Sequence, residues 1–200
     1  QVRIDKAAVF DIIDYYTKEA GVRKLERKIA EIMRKRAKMI VDGKRSVSVG
    51  KNNLSEFLGV RRYRSDELPE NNEVGLVNVL AWTEVGGEIM QLEVSVMDGS
   101  GKLELTGSLG DVMKESAKAA VSFVRSNREV LGIKGEFYKN KDIHIHATEA
   151  AVPKDGPSAG VAIVTALVSV LTGRPIKRDV AMTGEVTIRG RVLAIGGLNE

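Results

Sequence analysis

The 200-residue sequence contains no cysteine, which excludes disulfides and thiolate metal sites and agrees with a reducing cytosol. Its longest apolar run is too short and too interrupted to span a bilayer, and no signal-peptide pattern opens the residues given. No Gly-Lys-Ser/Thr loop is present, so a Walker-type phosphate cradle is excluded. No internal repeat or low-complexity tract is evident. Neither sign of charge dominates, with 31 Lys and Arg against 27 Asp and Glu and a net charge of +4. These absences leave an ordinary soluble, globular composition, long enough for one full domain and a smaller piece.

The basic residues are unevenly placed. Arg23, Lys24, Arg27, Lys28, Arg34, Lys35, Arg36, Lys38, Lys44 and Arg45 face only Glu26, Glu31 and Asp42. Such a cluster suits phosphates of nucleotide or of DNA, and it equally suits a solvated helix face. In the same stretch Val22, Leu25, Ile29, Ile32, Met33 and Ile40 recur at helical spacing and predict an inward stripe. A helix is expected before it, around Ala7 to Tyr16, and the Ala20-Gly21 junction separates the two. Val47-Ser48-Val49 reads as a short strand, and Asn53 to Leu58 as a short helix ended by Gly59.

Residues 61–72 are charged and polar and read as a linker. Strand patterning follows. Glu88 to Met97 alternates, with Met90, Leu92, Val94 and Val96 on one face, and Gly86-Gly87 is expected to supply a hairpin turn before it. Ser108 is expected to cap a helix whose inner face carries Leu109, Val112, Met113, Ser116, Ala120, Phe123 and Val124. Asp142 to Ala147 reads as a strand, and shorter strands are expected around Met182, Ile188 and Leu193.

The chemistry concentrates at Pro153-Lys154-Asp155-Gly156-Pro157-Ser158-Ala159-Gly160. A polar turn there delivers Ser158 to the start of a helix, apolar nearly all round, that Gly173 and Pro175 end. Backbone N–H groups at that end lack intrahelical partners and the macrodipole is positive, which favours developing negative charge. The position suits a nucleophile beside an oxyanion, and it also suits a plain N-cap serine. Ser158, His144, His146, Asp155 and Glu93 could compose a Ser–His–acid triad. His144 and His146 share one strand face, so zinc is a further option, although only carboxylates are available to complete its ligand set. The plain alternative is a pair of hydrogen-bonded histidines on a strand.

The octapeptide, with Met182-Thr183-Gly184-Glu185-Val186-Thr187-Ile188-Arg189-Gly190 and Ile195-Gly196-Gly197-Leu198, resembles the proteolytic domain of the Lon proteases. These are ATP-dependent serine peptidases with a Ser–Lys dyad. Asp142 to His146, Ala81 to Gly87 and Gly107 to Ser116 match further blocks of that domain. Tyr16 to Arg27 resembles the end of the family's AAA+ module. The resemblance implies an α+β fold: the C-terminal part of a helical AAA+ lid at residues 1–60, a linker at 61–72, and a C-terminally truncated proteolytic domain at 73–200.

It further implies Ser158 as nucleophile and a lysine base directly after Gly196-Gly197-Leu198-Asn199-Glu200, so that the residues given carry a nucleophile without its base and are expected to be inactive alone. Lys154 is expected to point to solvent and is no substitute. Thr183 would orient the lysine amine, and the backbone around Pro157, Ser158 and Ala159 would form the oxyanion site. Asp155 would hold the turn, Glu93 and His144 would line the site, and Arg23 would reach nucleotide phosphate as a sensor arginine.

No metal site belongs to the family pattern beyond the magnesium that accompanies ATP in the whole protein. The resemblance implies a parent that is a cytoplasmic, hexameric endopeptidase acting on unfolded or damaged proteins, with non-specific DNA binding as a further property and no membrane partner. The alternative function is a non-catalytic scaffold or DNA-associated domain, against which the intact Gly-Pro-Ser-Ala-Gly argues. The stretch His146-Ala147-Thr148-Glu149-Ala150-Ala151 departs from the family's Val-Pro-Glu-Gly-Ala and loses a proline and a glycine, which changes its stiffness.

Overall fold

A computed structural model describes residues 3–43, 48–63, 69–83, 86–148 and 153–197. The chain is α+β and divides into two compact units, residues 1–67 with 84–86, and residues 68–83 with 87–200. Among the described residues no helix is long and apolar enough to cross a membrane.

The first unit is helical. Helix α1 (Lys6–Ile12) continues into a π-helical turn, Ile13–Thr17. Helix α2 (Arg23–Val41) begins without a side-chain cap from Val22, and Glu19 instead accepts the Leu25 N–H at 2.9 Å. A 3-10 turn (Lys51–Asn53) leads into the short α3 (Leu54–Leu58). Ala8, Ile12, Tyr16, Ile32, Val49, Leu54, Phe57 and Leu58 form the core, with Leu25 and Met39 packed against it. Each fully buried aliphatic side chain here is worth about 1.5–3 kcal/mol. Val49 bridges Ile4, while Val47 of the expected strand lies outside the described residues.

The stripe on α2 is narrower than the periodicity predicts. It follows Leu25, Ile29, Ile32, Arg36 and Met39, whereas Val22, Met33 and Ile40 are exposed. The π turn and α3 make the main packing against α2 among the described residues, and they cover a narrow face. Arg36 is therefore buried, with Nη1 3.8 Å from the Met39 sulfur. Lys28 and Lys35 both pair with Glu31 at 3.0 Å, and Lys35 also donates to the Phe57 carbonyl. These contacts, Lys35 first, hold the Glu31 carboxyl below its ordinary range. Part of the basic cluster is thus structural; Lys44 and Arg45 lie outside the described residues.

Asp11 is buried and receives Lys51 and Arg61, each at 2.9 Å. The Arg61 guanidinium stacks 3.9 Å from the Tyr15 ring centroid. The Tyr16 hydroxyl donates to the Gly59 carbonyl, and the N–H groups of Arg62 and Tyr63 donate to the Tyr15 carbonyl. Residues 59–63 are tied to this unit, while residues 64–68 of the expected linker lie outside the described residues.

The second unit is a five-stranded sheet with helices on one face. Its strands are β1 (Leu76–Thr83), β2 (Gly86–Asp98), β3 (Leu103–Thr106), β4 (Lys141–Ala147) and β5 (Ala181–Met182), in the order β3-β4-β2-β1-β5. β2 and β4 are antiparallel, while β3–β4 and β1–β5 are parallel. Helix α4 (Asp111–Ser126) and the short α5 (Phe137–Asn140) carry the chain from β3 to its parallel neighbour β4, as a parallel pair requires. Helix α6 (Gly160–Thr172) packs on α4 and on β1, and Gly173 ends it in the left-handed conformation. A separate two-stranded ribbon, β6 (Glu185–Val186) with β7 (Val192–Leu193), lies against the start of α6. The core sits between the sheet and α4 and α6, and is almost wholly aliphatic.

Met90, Leu92 and Val94 are buried as the alternation of β2 predicts. Gly86 and Gly87 belong to β2 itself rather than to a turn, and residues 84–85 lie outside the described residues. Helix α4 begins at Asp111 behind Gly110, so Ser108 does not cap it; Ser108 instead adopts a left-handed φ of 57°. Val112 faces solvent and Ala117 takes its place inside, because α4 meets α6 along its small residues. Ile188 is exposed in the turn joining β6 to β7 and is not in a strand.

Two outcomes test this packing. Asp11→Asn removes both charged contacts but leaves two half-exposed cations that water can solvate, so urea unfolding should report a loss of about 1.5–3 kcal/mol, the size of one charge-assisted hydrogen bond. Asp142 accepts the N–H groups of Lys102 and Ser100 at 2.8 Å, and these bonds hold its carboxyl below the ordinary 3.8. Its stabilisation is therefore complete above that ordinary value and is lost as pH falls through the lower folded value. Asp142→Asn should flatten the stability–pH curve below about pH 4, measured by thermal unfolding.

Candidate active site

The segment before α6 is built to hold one short turn still. Gly156 has φ 139°, a conformation that L side chains rarely adopt, and it turns the chain into a 3-10 turn at Pro157–Ala159. Lys154 pairs alongside Leu109, with the Gly110 N–H donating to the Lys154 carbonyl at 2.7 Å and the Lys154 N–H to the Ser108 carbonyl at 3.0 Å. Asp155 accepts the N–H of Met113 at 3.1 Å and of Gly156 at 3.0 Å. A carboxylate is thereby placed on the N-terminal turn of α4, where orphan donors and the helix dipole favour it.

Ser158 is half-buried at the middle of that turn. Two consecutive peptide groups around it are anchored. The Pro157 carbonyl accepts the Ser116 hydroxyl at 3.1 Å and the Gly160 N–H. The Ser158 carbonyl accepts the Gly184 N–H at 2.6 Å and, more weakly, the Thr183 hydroxyl at 3.3 Å. Gly160 permits this closeness. A Cβ on it would stand 2.8 Å from the Val186 nitrogen and 3.2 Å from Ser116 Oγ.

Beside Ser158 lies a cavity of about 270 Å³. Val79, Leu80, Trp82, Met90 and Met113 give it apolar walls, and Glu88, Lys154 and Asp155 contribute polar ones. Lys154 is half-buried in this wall and does not simply point to solvent, because its backbone is pinned to Leu109 and Gly110. Trp82 is 62 % exposed at the rim. A Cβ on Gly197 would stand 3.4 Å from Trp82 Cβ, so the chain approaching Leu198 runs past the same rim; residues 198–200 lie outside the described residues.

The histidines stand apart from this cavity. His144 and His146 lie on the sheet face opposite the helices, opposite Ser95 and Glu93 of β2 and Glu104 and Thr106 of β3. The Thr106 hydroxyl bridges His144 Nε2 and His146 Nδ1, at 2.8 Å each. Glu93 is exposed, and neither it nor either histidine lines the cavity. Among the described residues no group of three His, Cys, Asp or Glu is arranged to hold a metal. Arg23 is exposed as the first residue of α2. The loop at 149–152 lies outside the described residues.

Of the residues the sequence singles out, Thr183 bonds the Ser158 carbonyl, while Asp155 bonds Met113 and Gly156 at the entry to the same turn. Sequence reasoning missed the cavity walls Trp82, Met90 and Met113 and the part played by Ser116. One signal was available for the last: a hydroxyl on the inner stripe of an otherwise apolar helix must find a partner.

Residues 48–200 match the family model of the Lon protease (S16) C-terminal proteolytic domain, and residues 1–49 that of the Lon protease AAA+ ATPase lid domain. The Lon protease of Finegoldia magna is 61% identical over the whole chain, which covers 26% of that protein. Lon protease 1 of Bacillus subtilis is 57% identical over 96% of the chain, covering 25% of that protein. The Lon protease of Vibrio parahaemolyticus is 55% identical over the whole chain, again covering 26%. The chain thus spans about a quarter of the length of the curated relatives it matches. With both models matched in order and identity above half along its length, the chain belongs to the Lon protease family.

Proposed function

We propose that the chain is part of an ATP-dependent serine endopeptidase that degrades unfolded or damaged proteins, with Ser158 as its nucleophile. The observation that carries this reading is the fixed, half-buried Ser158 turn opening on an apolar cleft. In the reaction, Ser158 Oγ bonds to the substrate carbonyl carbon while its proton passes to a lysine amine, and the carbonyl π pair moves onto oxygen. Collapse breaks the C–N bond, the leaving amine takes that proton, and water then hydrolyses the acyl-enzyme.

The lysine is the residue that family resemblance puts directly after Glu200. The passage of Gly197 along Trp82, at the rim of the Ser158 cleft, supports that assignment. Such a base must be substantially neutral at working pH; the apolar walls favour this by penalising its charged form, while the Glu88 and Asp155 carboxylates of the same cleft oppose it. Thr183, already bonded to the Ser158 carbonyl, keeps acceptor lone pairs for the amine. Asp155 holds the turn, through its bonds to Met113 and Gly156.

ATP and magnesium would be served by the parent's nucleotide core. Among the residues of this chain Arg23 is the one assigned to nucleotide phosphate. Assembly as a hexamer and residence in the cytoplasm belong to the same proposal. For nucleic-acid phosphates the exposed Lys24, Arg27, Arg34 and Lys38 are the side chains available.

In the full-length protein, Ser158→Ala should abolish cleavage of a fluorogenic peptide, while His144→Ala, His146→Ala and Lys154→Ala should keep measurable turnover in folded, assembled enzyme. A histidine variant as inactive as Ser158→Ala would replace the dyad with a triad. Arg23→Ala should lower ATP-driven degradation of a folded substrate far more than cleavage of a short peptide, because only the former needs nucleotide-driven motion. The lost charge-assisted contact corresponds to about 1.5–3 kcal/mol, and unchanged ATP hydrolysis and folded-substrate degradation would return Arg23 to the solvated surface.

A further inference from the structure

We infer that Ser116 is a positioning residue that aims the Ser158 N–H at the substrate oxygen; the inference rests on Ser158 being the nucleophile. The argument begins with the peptide plane. In a trans peptide the C=O of one residue and the N–H of the next point in opposite directions. Whatever holds the Pro157 carbonyl therefore also sets the direction of the Ser158 N–H. Ser116, 7 % exposed on α4, donates to that carbonyl at 3.1 Å.

The Ser158 N–H is the donor that the turn leaves over. In a 3-10 turn beginning at Pro157, proline has no N–H, and Ala159 is the first residue whose N–H reaches a carbonyl three residues back. The Ser158 N–H is turned away from Ser116 and remains for a ligand. One such donor on a developing oxyanion is typically worth a factor of about 10²–10³ in kcat.

Two features distinguish aiming from mere packing. The Gly160 N–H also bonds the Pro157 carbonyl, so removing the Ser116 hydroxyl orphans no buried acceptor. Stability should therefore change little. The second peptide group, Ser158–Ala159, is held independently by the Gly184 N–H. Loss of Ser116 thus leaves the Pro157–Ser158 plane on the Gly160 bond alone, loosening its orientation without dismantling the turn. The hydroxyl also fits only because residue 160 lacks a Cβ, which would stand 3.2 Å from it.

The test compares Ser116→Ala with Ser122→Ala in the full-length protein. Ser122 lies on the exposed side of the same helix and bonds only its own Lys118 carbonyl. Ser116→Ala should lower kcat for a fluorogenic peptide by roughly ten- to a hundredfold, part of the full donor effect. KM should stay within about twofold, and the acid limb of the pH–rate profile should not move, since the base is untouched. A peptide boronate, whose tetrahedral adduct puts an oxygen in the oxyanion position, should weaken by the same factor as kcat/KM. Ser122→Ala should match the wild type throughout. An unchanged kcat in Ser116→Ala, or a fall in kcat with undiminished boronate affinity, would overturn the inference. So would a loss that tracks a large drop in Tm. Activity surviving in Ser158→Ala would instead sink the underlying reading, whatever Ser116 does.

Discussion

The close approach of α4 and α6 is the constraint on which the second unit depends. It is made by small side chains: Ser116, Ala117 and Ala120 on one helix, and Gly160, Ala162 and Ala166 on the other. Small residues let the helix backbones come near enough for side chains of one to bond backbone groups of the other. That contact brings the head of α6 within reach of Ser116, and the ribbon β6–β7 closes it from the far side through Gly184 and Val186. Bulk at Gly160 would meet the Val186 and Gly184 backbone rather than a flexible chain end.

The contact is reciprocal. Helix α4 supplies the hydroxyl that holds the Pro157 carbonyl, and the turn preceding α6 supplies the carboxylate that bonds the Met113 N–H of α4. Each helix start is thus partly satisfied by the other segment, and neither turn is defined alone. Catalytic turns need this kind of over-determination, since donors preorganised by a rigid scaffold cost no reorganisation when charge develops.

Much of this was legible in the sequence, for identifiable reasons. The alternation of β2 and the apolar continuity of α6 are strong periodic signals, and both elements form with the expected faces inside. Gly173 and Gly59 end their helices as glycine at such positions should. The failures are those of tertiary context. Val22, Met33 and Ile40 satisfy helical spacing yet stay exposed, while Arg36 is buried because it falls on the stripe that α3 and the π turn do cover. Ser108 has the composition of a cap, but the helix start is bonded by Asp155, which lies far away in sequence. In the candidate site, the Ser158 turn was legible because a motif is local. The walls of the cleft were not, because Trp82, Met90 and Met113 come from three elements that only folding brings together.

The bridge from Thr106 to two imidazoles has a consequence of its own. A hydroxyl carries a single proton, so Thr106 can give it to one ring only and must receive from the other. If His146 Nδ1 accepts, His144 Nε2 must carry hydrogen; if His144 Nε2 accepts, His146 Nδ1 must carry it. The hydrogen-bonding roles of the two rings are therefore not independent, and reversing one reverses the other. Beside Glu93, Ser95 and Glu104, the two histidines behave as one unit of hydrogen-bonding polarity that reads in either direction along the strand.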